Sequence, residues 1–146
     1  MLDFSLIYHP NEILKKPTST VKDFFLINSL AEKMISIMKN NNGIGLAANQ
    51  IGLNDSIFVM HVDSYSEKPT VFVNPKILVR SKKVEYSIEC CLSIPGVSRK
   101  IPRNISIFVE AQNENGETFQ KELKFLEAFC FQHEFDHLNG KLIIDY

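Results

Sequence analysis

The sequence predicts an α+β fold in which short antiparallel strands pack around a C-terminal helix, with a second helix near the N-terminus. Apolar residues recur at helical spacing over 23–39, and a second helical pattern runs over about 124–139. Between them lie several short segments that are rich in β-branched and aromatic residues. Helix, many strands, helix is the order of elements in an α+β domain.

Length and composition indicate one globular domain that spans residues 1–146. A chain of 146 residues buries roughly two thirds of its unfolded surface without help from disulfides. Its 45% hydrophobic and 23% charged residues exclude the disordered and fibrous classes. With 16 basic against 17 acidic side chains, no excess of positive charge is present to neutralise a phosphate backbone, so no nucleic-acid partner is expected.

The N-terminus and the cysteines indicate a reducing compartment. Residues 1–10 lack the basic region and the apolar core of a signal peptide, and no segment approaches the length of a membrane span. We therefore expect a cytoplasmic setting and no membrane partner. Three cysteines, two of them adjacent, do not make a disulfide framework and favour metal or catalytic chemistry. They are Cys90, Cys91 and Cys130.

The first helix is predicted to start at a cap on Asp23 and to end near Lys39. Its apolar stripe favours core packing over a cofactor role and contains Ile27, Leu30, Ala31, Met34, Ile35 and Met38. The next segment, 43–50, is short and apolar and lacks the Lys and Ser or Thr of a phosphate loop. Its two glycines suit either a tight connection from helix to strand or a backbone that another group approaches closely.

Five strands are predicted in the middle of the chain, at 56–62, 70–80, 82–88, 104–111 and 118–125. A turn is predicted at 113–116. The last residues, 141–146, are predicted to form a short strand after a helix stop at Gly140. No repeat, low-complexity run or linker interrupts this order, which again favours a single domain.

The C-terminal helix carries the pattern His133-Glu134-x-x-His137. Helical residues four apart lie one turn above each other, so both imidazoles can share one metal. Glu134 lies beside them, where a carboxylate can reach a water at the metal and act as a general base without being a ligand. The pattern indicates metal-assisted hydrolysis; the alternative is an amphipathic helix with two half-buried structural histidines.

A third ligand is required, because a catalytic zinc or iron site takes three protein ligands and keeps an open position. A thiolate is a suitable ligand, and Cys90 and Cys91 lie in a segment, 88–96, between two strand-like stretches. Neighbours in an extended backbone point to opposite faces, so only one of the two can reach the metal. The other suits the role of a small buried hydrophobe, and the residues alone leave open which is which.

Three segments resemble the motifs of the peptide deformylases. Residues 43–50 resemble GxGLAAxQ, residues 89–93 resemble EGCLS, and residues 132–138 resemble QHExDHL. They stand in the family's order and at its spacing, and the opening around 10–14 is also similar, so the resemblance covers essentially the whole chain. It implies an enzyme: a metal-dependent hydrolase that removes the formyl group from N-formylmethionine of nascent polypeptides and releases formate.

The resemblance also implies the metal site. Cys91 is the implied sulfur ligand, because it precedes Leu92 as the family's cysteine does, and His133 and His137 are the implied nitrogen ligands. The expected metal is Fe(II), with Zn, Ni or Co able to occupy the site. A thiolate-ligated ferrous ion would make the protein sensitive to oxygen and peroxide. Glu134 is the implied general base, which takes a proton from the attacking water and passes it to the leaving amine.

Further roles follow from the same resemblance. The side-chain amide of Gln50 and the backbone N–H of Leu92 would stabilise the oxyanion of the tetrahedral intermediate. Ile44 and Gly45 would offer backbone groups to an extended substrate, which would add as a strand. An apolar pocket for the methionine side chain would have Ile44 as one wall, unless these side chains only pack in the core. Its other expected walls are Leu126, Phe129 and Cys130.

Two acidic residues near the motifs have open roles. Asp136 could accept an N–H from a metal-binding imidazole or remain a solvated acid on the helix surface. Glu89 and Arg103 could pair near the site. His9 and His61 have no ligand-like spacing and are expected to be structural or surface residues.

Two features depart from the family's pattern. Cys90 stands where the family has glycine, so a positive φ or a close substrate approach at this position would produce strain or narrow the cleft. Many members also continue beyond the position of Tyr146 into a further helix or tail, and short forms resemble some organellar or phage-encoded deformylases.

The implied partners are N-formylmethionyl nascent peptides near the ribosome, met by a monomer in the cytoplasm of a bacterium, or of a host cell if the gene is phage-borne. Two rival functions remain. One is another metal amidase or peptidase that acts on different acyl groups, and the other is a deformylase-like protein that binds metal or formyl peptides without turnover. The complete set of Gln50, Cys91, His133, Glu134 and His137 argues against the second.

Overall fold

The computed structural model describes residues 3–146. Met1 and Leu2, which begin the stretch examined for a signal peptide, lie outside the described residues. The helices are α1 (Ile27–Asn40) and α2 (Leu126–Leu138). The strands are β1 (Gly45–Ala47), β2 (Ile57–Met60), β3 (Thr70–Arg80), β4 (Val84–Cys91), β5 (Ile94–Asn104), β6 (Ser106–Gln112) and β7 (Thr118–Lys124). Within the described range, neither helix is both long and apolar enough to cross a membrane.

The strands form two antiparallel sheets. Five of them make one sheet in the order β1-β2-β3-β6-β7, and β4 and β5 pair with each other as a separate hairpin. The helix α2 contacts β1, β2 and β7 of the main sheet and also β5 of the hairpin. The predicted α+β class and its antiparallel strands are therefore confirmed, and α2 lies where the two sheets meet.

The central strands of the main sheet are buried on both faces. In β2, Phe58 packs on the α2 side, whereas Ile57 and Val59 pack on the α1 side. The side chains alternate because successive residues of a strand point to opposite faces. On the α2 side, Phe131 makes edge contacts with Phe58 and with a second phenylalanine, Phe72, at centroid distances of 5.0 Å in both cases.

A third apolar cluster holds the hairpin in place. It joins Cys91 of β4 and Ile101 of β5 to Leu14 from the N-terminal segment and to Leu142 beyond α2. All four side chains are buried. The inner face of the hairpin is thereby fixed against the end of the chain, with β4 opposite α2.

The predicted start of α1 and the predicted strand after α2 both need correction. α1 begins at Ile27 after Leu26, which supplies no side-chain cap, so the predicted cap at Asp23 is wrong. The Asp23 carboxylate instead accepts the N–H of Phe25 at 3.0 Å, in the turn that precedes the helix. The residues after α2 do not form the predicted strand. Ile143–Asp145 is a single 3-10 turn, in which the Asp145 side chain accepts the N–H of Leu142 at 2.8 Å.

The hairpin also differs from prediction. β4 continues to Cys91 and not only to residue 88, and β5 covers 94–104, a segment with no predicted strand except at its last residue. Pro95, Gly96 and Pro102 make this segment unlike a strand in isolation. Pairing with β4 nevertheless extends it, with Ile101 opposite Ser87 and Lys100 opposite Ile88.

Candidate metal centre and catalytic cleft

Two elements bring the candidate ligands together. His133 and His137 lie one turn apart on the buried face of α2, and Cys91 is the last residue of β4. The pairing of β4 with β5 shifts register between Cys90 and Cys91. Cys91 is buried and Cys90 exposed, so the prediction that the two thiols point to opposite faces is confirmed.

The three ligand atoms form one compact group. Cys91 Sγ, His133 Nε2 and His137 Nε2 lie within 4.8 Å of one another. His137 Nε2 is 3.2 Å from His133 Nε2 and 3.4 Å from Cys91 Sγ. A tetrahedral zinc with ordinary bond lengths separates two nitrogen ligands by about 3.3 Å and a nitrogen from a sulfur by about 3.6 Å. The spacing therefore fits one small divalent ion.

The hydrogen bond from His133 to Glu89 orients its imidazole as a metal ligand requires. Its Nδ1 lies 2.8 Å from Glu89 Oε1, and Glu89 is ionised, so Nδ1–H donates to this carboxylate and Nε2 is the nitrogen that faces His137. Burial acts to lower the pKa of His133, but hydrogen bonds with Cys91 and Glu89 outweigh it and raise the pKa to about 10. The surroundings of this Nε2 thus favour a positive charge, which a metal ion would supply.

Glu89 is a buried carboxylate that accepts hydrogen bonds from two residues, Arg103 and His133. Arg103 donates to it twice, from Nη2 at 2.7 Å and from Nε at 2.8 Å, while His133 donates from the third direction. Burial acts to raise the pKa of Glu89, but these bonds to Arg103 and His133 outweigh it and lower the pKa to about 2. The pairing of Glu89 with Arg103 is confirmed. Its direct bond to the His133 imidazole was not predicted.

Glu134 is the second buried acid of the site. It is 4% exposed, its Oε1 is 4.0 Å from His133 Nε2, and its Oε2 has no hydrogen-bond partner among the described residues. Burial is the main cause that raises its pKa to about 7, against the opposing charge of His133. A carboxylate with this pKa and a free oxygen can both accept and return a proton near neutral pH.

Gly45 is required by its contact with Glu134. A Cβ at this position would lie 2.5 Å from Glu134 Oε1, closer than real Cβ atoms approach a side chain. Of the two alternatives for segment 43–50, close approach is therefore correct at Gly45, and the group that approaches is the Glu134 side chain of α2. The same segment also forms the short strand β1 and, at Ala48–Ile51, a 3-10 turn.

Gln50 is fixed beside the candidate sulfur ligand. Its Oε1 accepts the N–H of Ala47 at 2.9 Å, and its Nε2 donates to Ser93 Oγ at 3.1 Å and lies 3.7 Å from Cys91 Sγ. The side chain is 1% exposed, so these contacts hold it in one orientation. Ser93, the last residue of the motif at 89–93, was not assigned a role of its own from sequence.

A cleft of about 390 Å³ opens over this group of residues. The cleft lies between two strands. One is β1, the end strand of the main sheet, whose outer edge is free; the other is β4, which within the described chain pairs with β5 alone. Every predicted site residue except His137, which lies deeper at 1% exposure, lines the cleft. These residues are Ile44, Gly45, Gln50, Cys91, Leu92, Leu126, Phe129, Cys130, His133 and Glu134.

The expected pocket walls divide into a rim and a floor. Ile44 and Leu126 are 46% and 43% exposed, so for these two the alternative of simple core packing is wrong. Cys130 is buried, and its thiol donates to the Ile44 carbonyl at 3.6 Å. Burial raises the pKa of Cys130 well above its ordinary value, which keeps this thiol neutral and suits it to an apolar wall.

The expectations for Cys90 and Asp136 are partly overturned. The described non-glycine residues with positive φ are Asn42, Asn74 and Phe125, so Cys90 carries none of the expected backbone strain. The residue does line the cleft. Asp136 neither reaches an imidazole nor remains solvated, because it accepts a hydrogen bond from Arg103 Nη1 at 2.7 Å.

The remaining histidines lie outside the site, as expected. His61 Nε2 is 3.1 Å from the carbonyl oxygen of Ser66, and His9 is exposed on the N-terminal segment.

An α+β domain in which two helical histidines and a strand thiol converge beside a buried, unpartnered carboxylate defines a hydrolase of the single-metal class. Comparison with known proteins identifies the family. The model of the polypeptide deformylase family matches residues 4–146. The chain belongs to this family of metal-dependent enzymes, which remove the N-formyl group from nascent polypeptides.

Individual relatives agree with this assignment. A peptide deformylase of Blochmanniella floridana is 38% identical over 145 residues, which cover 97% of this chain and 81% of the relative. The crystal structure of peptide deformylase from Thermotoga maritima superposes with a TM-score of 0.94 at 37% identity and covers 99% of this chain and 97% of that one. A probable peptide deformylase from Synechococcus phage S-SSM7 gives a TM-score of 0.92 at 32% identity, with 99% of both chains covered.

Proposed function

We propose that the chain deformylates N-formylmethionyl peptides with a metal ion, most naturally Fe(II), held by Cys91, His133 and His137. The observation that carries this assignment is the free Oε2 of Glu134 beside three converging ligand atoms in an open cleft. A divalent ion bound there supplies Lewis-acid activation of water and of the formyl carbonyl. The donor set fits zinc, nickel or cobalt as well, because one thiolate and two imidazoles suit all of these metals.

Glu134 performs the proton transfers in this proposal. Its free Oε2 accepts a proton from the attacking water as the new C–O bond forms at the formyl carbon. The same oxygen returns the proton to the amine when the C–N bond breaks, so formate and a peptide with a free amino terminus leave the site. A pKa near 7 suits a group that must both take and give a proton.

Gln50 and Leu92 stabilise the oxyanion of this reaction. Gln50 Nε2 is already aimed at the cleft wall next to Cys91, and the Leu92 backbone N–H lies one residue further along the chain. Donors that are positioned before the reaction are effective, and Gln50 needs only to exchange its long 3.7 Å contact with Cys91 Sγ for the oxyanion. Since Leu92 acts through its backbone, substitution of its side chain is a poor test of this role.

The substrate binds as an added strand between β1 and β4. The Ile44 carbonyl accepts the N–H of His61 at 2.8 Å, so this carbonyl faces β2. Successive residues of an antiparallel strand present their polar groups to alternate edges, which directs those of Gly45 to the cleft. Ile44 then contributes its exposed side chain, and the methionine side chain enters the space lined by Leu126, Phe129 and Cys130.

The setting follows from the substrate. Formylated nascent chains occur where translation takes place, which supports action near the ribosome in the cytoplasm of a bacterium, or of a host cell if the gene is phage-borne. One chain supplies all proposed ligands, the base and the pocket walls, so a monomer suffices. No nucleic-acid partner is proposed.

The test is formate release by protein purified anaerobically with Fe(II), after its bound metal has been measured. We expect formate from formyl-Met peptides and no turnover of acetyl-Met or free Met peptides. Turnover of the acetylated peptide would favour the broader amidase, whereas bound metal without formate release would favour a binding protein that lacks turnover.

The choice of sulfur ligand has its own test. Cys91→Ser should lower the metal content of the purified protein sharply, because a hydroxyl is a poorer ligand than a thiolate for these ions. Cys90→Gly, the matched control one residue away, should retain the metal. If Cys90→Gly loses the metal and Cys91→Ser retains it, the wrong cysteine has been assigned.

A further inference from the structure

A hydrogen-bonded network continues behind the candidate metal centre, on the side away from the cleft. Arg103 is 3% exposed and uses two nitrogens on Glu89. Its remaining terminal nitrogen, Nη1, donates to Asp136 at 2.7 Å and to the hydroxyl oxygen of Tyr146 at 2.9 Å. The Tyr146 hydroxyl in turn donates to Asp136 at 2.5 Å. Arg103, Asp136 and Tyr146 therefore form a closed triangle of hydrogen bonds.

This triangle fixes the plane of the guanidinium group. A guanidinium presents its donors in a rigid fork, so contacts at one end determine where the other end points. At one end Arg103 holds both oxygens of Glu89, and at the other end it meets Asp136 and Tyr146. Without the second end, the two bonds to Glu89 alone would hold the group.

Tyr146 is itself held from two sides. Lys141 Nζ lies 3.7 Å from the centre of its ring, and Arg103 Cζ lies 5.2 Å from it, so both cations contact the aromatic ring. The backbone turn just before Tyr146 is closed independently, by the bond from the Leu142 N–H to the Asp145 side chain. The ring and the turn therefore do not depend on the Tyr146 hydroxyl.

We propose that Tyr146 is a positioning residue for the metal centre, whose hydroxyl acts through Asp136 and Arg103 to fix the Glu89 carboxylate that orients His133. The inference rests on the proposed role of His133 as a metal ligand. Imidazole ligands are oriented by the acceptor of their second N–H, and loss of such an acceptor weakens metal binding by about 10- to 100-fold. Tyr146 lies two contacts beyond that acceptor, through Arg103, so its effect is smaller.

The experiment measures metal loss from the intact, cobalt-loaded protein to an excess of chelator. Tyr146→Phe removes the hydroxyl and keeps the ring, and we expect the rate of cobalt release to rise about 3- to 10-fold, with a shift in the visible Co(II) spectrum. The matched control is Tyr86→Phe, because Tyr86 is an exposed residue of β4 outside the network. This variant should release cobalt at the wild-type rate.

A second variant tests whether the hydroxyl acts through the network. Asp136→Asn should also accelerate cobalt release, and adding Tyr146→Phe to it should accelerate release less than it does in the wild type, because the two groups share one bond. If Tyr146 had only a structural role, Tyr146→Phe would lower the melting temperature and leave the Co(II) spectrum unchanged.

Three results would overturn the proposal. They are cobalt release from Tyr146→Phe at the wild-type rate, an unchanged Co(II) spectrum of this variant, or effects of Tyr146→Phe and Asp136→Asn on cobalt release that add fully in the double variant. The measurement does not use formate release, so failure of this inference is distinct from failure of the proposed reaction. Wild-type protein that binds cobalt and releases no formate would contradict the reaction alone. Wild-type protein that binds no cobalt would contradict both.

Discussion

The two helices are similar in length but differ in the side chains that they bury. α1 has 14 residues, and its buried side chains are all apolar. α2 has 13 residues and buries polar groups as well as apolar ones. The buried residues of α1 are Ile27, Ala31, Met34 and Met38, and the polar ones of α2 are Glu127, Gln132, Glu134 and His137.

The polar groups of α2 divide into those that stabilise the fold and those that do not. Gln132 is satisfied, because it accepts the N–H of Asn104 at 3.1 Å and donates to the Asn104 carbonyl at 2.9 Å. Glu134 Oε2 and His137 Nδ1 have no partner among the described residues. A buried polar atom without a partner costs free energy. The buried side chains of α1 therefore stabilise the fold, whereas the unpartnered atoms of Glu134 and His137 in α2 lower the free energy of unfolding at positions proposed to act in the reaction.

The largest expected effect concerns activity and comes from α2. Glu134→Gln removes the proposed base with little change in shape, and kcat/KM should fall by about 10²- to 10⁴-fold. Metal content should stay at the wild-type level, since Glu134 is not a proposed ligand. The free energy of unfolding should stay level or rise, because a buried carboxylate whose Oε2 has no partner among the described residues is replaced by a neutral amide. Near-normal turnover by the metal-loaded variant would remove Glu134 from its role.

The next effect concerns stability and comes from α1. Met34 is fully buried, so Met34→Ala should lower the free energy of unfolding by about 2–5 kcal/mol in a denaturant titration. Activity per folded molecule and metal content should not change. Ser36→Ala, on the exposed side of the same helix, serves as the control and should stay within about 0.5 kcal/mol of wild type. A loss of metal from Met34→Ala would show that the two helices are not independent.

The smallest effect is a pH dependence that comes from Glu89, the β4 carboxylate that accepts a hydrogen bond from His133 of α2. In the metal-free protein the pKa of Glu89 is about 2, below its ordinary value of 4.5. Stability from this group is therefore complete above pH 4.5 and is lost as the pH falls toward 2, by at most about 3 kcal/mol. Glu89→Gln should flatten the curve of unfolding free energy against pH in this window, whereas Met34→Ala should lower the curve equally throughout. An unchanged slope for Glu89→Gln would contradict the assignment.

Local patterns explain what the sequence could predict. The stripe of α1 and the histidine spacing of α2 are visible because helical neighbours are close in sequence. The hairpin was predicted poorly, since Pro95 and Pro102 obscure β5 until β4 supplies its hydrogen bonds. The three motifs marked the cleft residues that the structure brings together, because each motif keeps its residues within a short segment.

The part of the site that could not be predicted depends on distant segments. Glu89 and Arg103 could be paired by charge, but the bond from His133 to Glu89 requires the docking of α2 against the hairpin. The bonds of Asp136 to Arg103 and Tyr146 require the same docking and the turn after α2. No periodicity of charge or hydropathy records these contacts.

The hairpin of β4 and β5 stands outside the main sheet, and this has a consequence for how the protein opens. Cys91 and His137 are 46 residues apart in sequence, so an ion bound by both would join the hairpin to α2 as a removable cross-link. Removal of the ion would leave the five-stranded sheet intact and take away one link between the hairpin and α2, so the apolar cluster around Leu14 and Leu142 and the bonds of Glu89 would hold the hairpin alone. Amide hydrogens of β4 and β5 would then exchange with solvent before those of β2 and β3, and the hairpin would form the least stable cooperative unit of the fold.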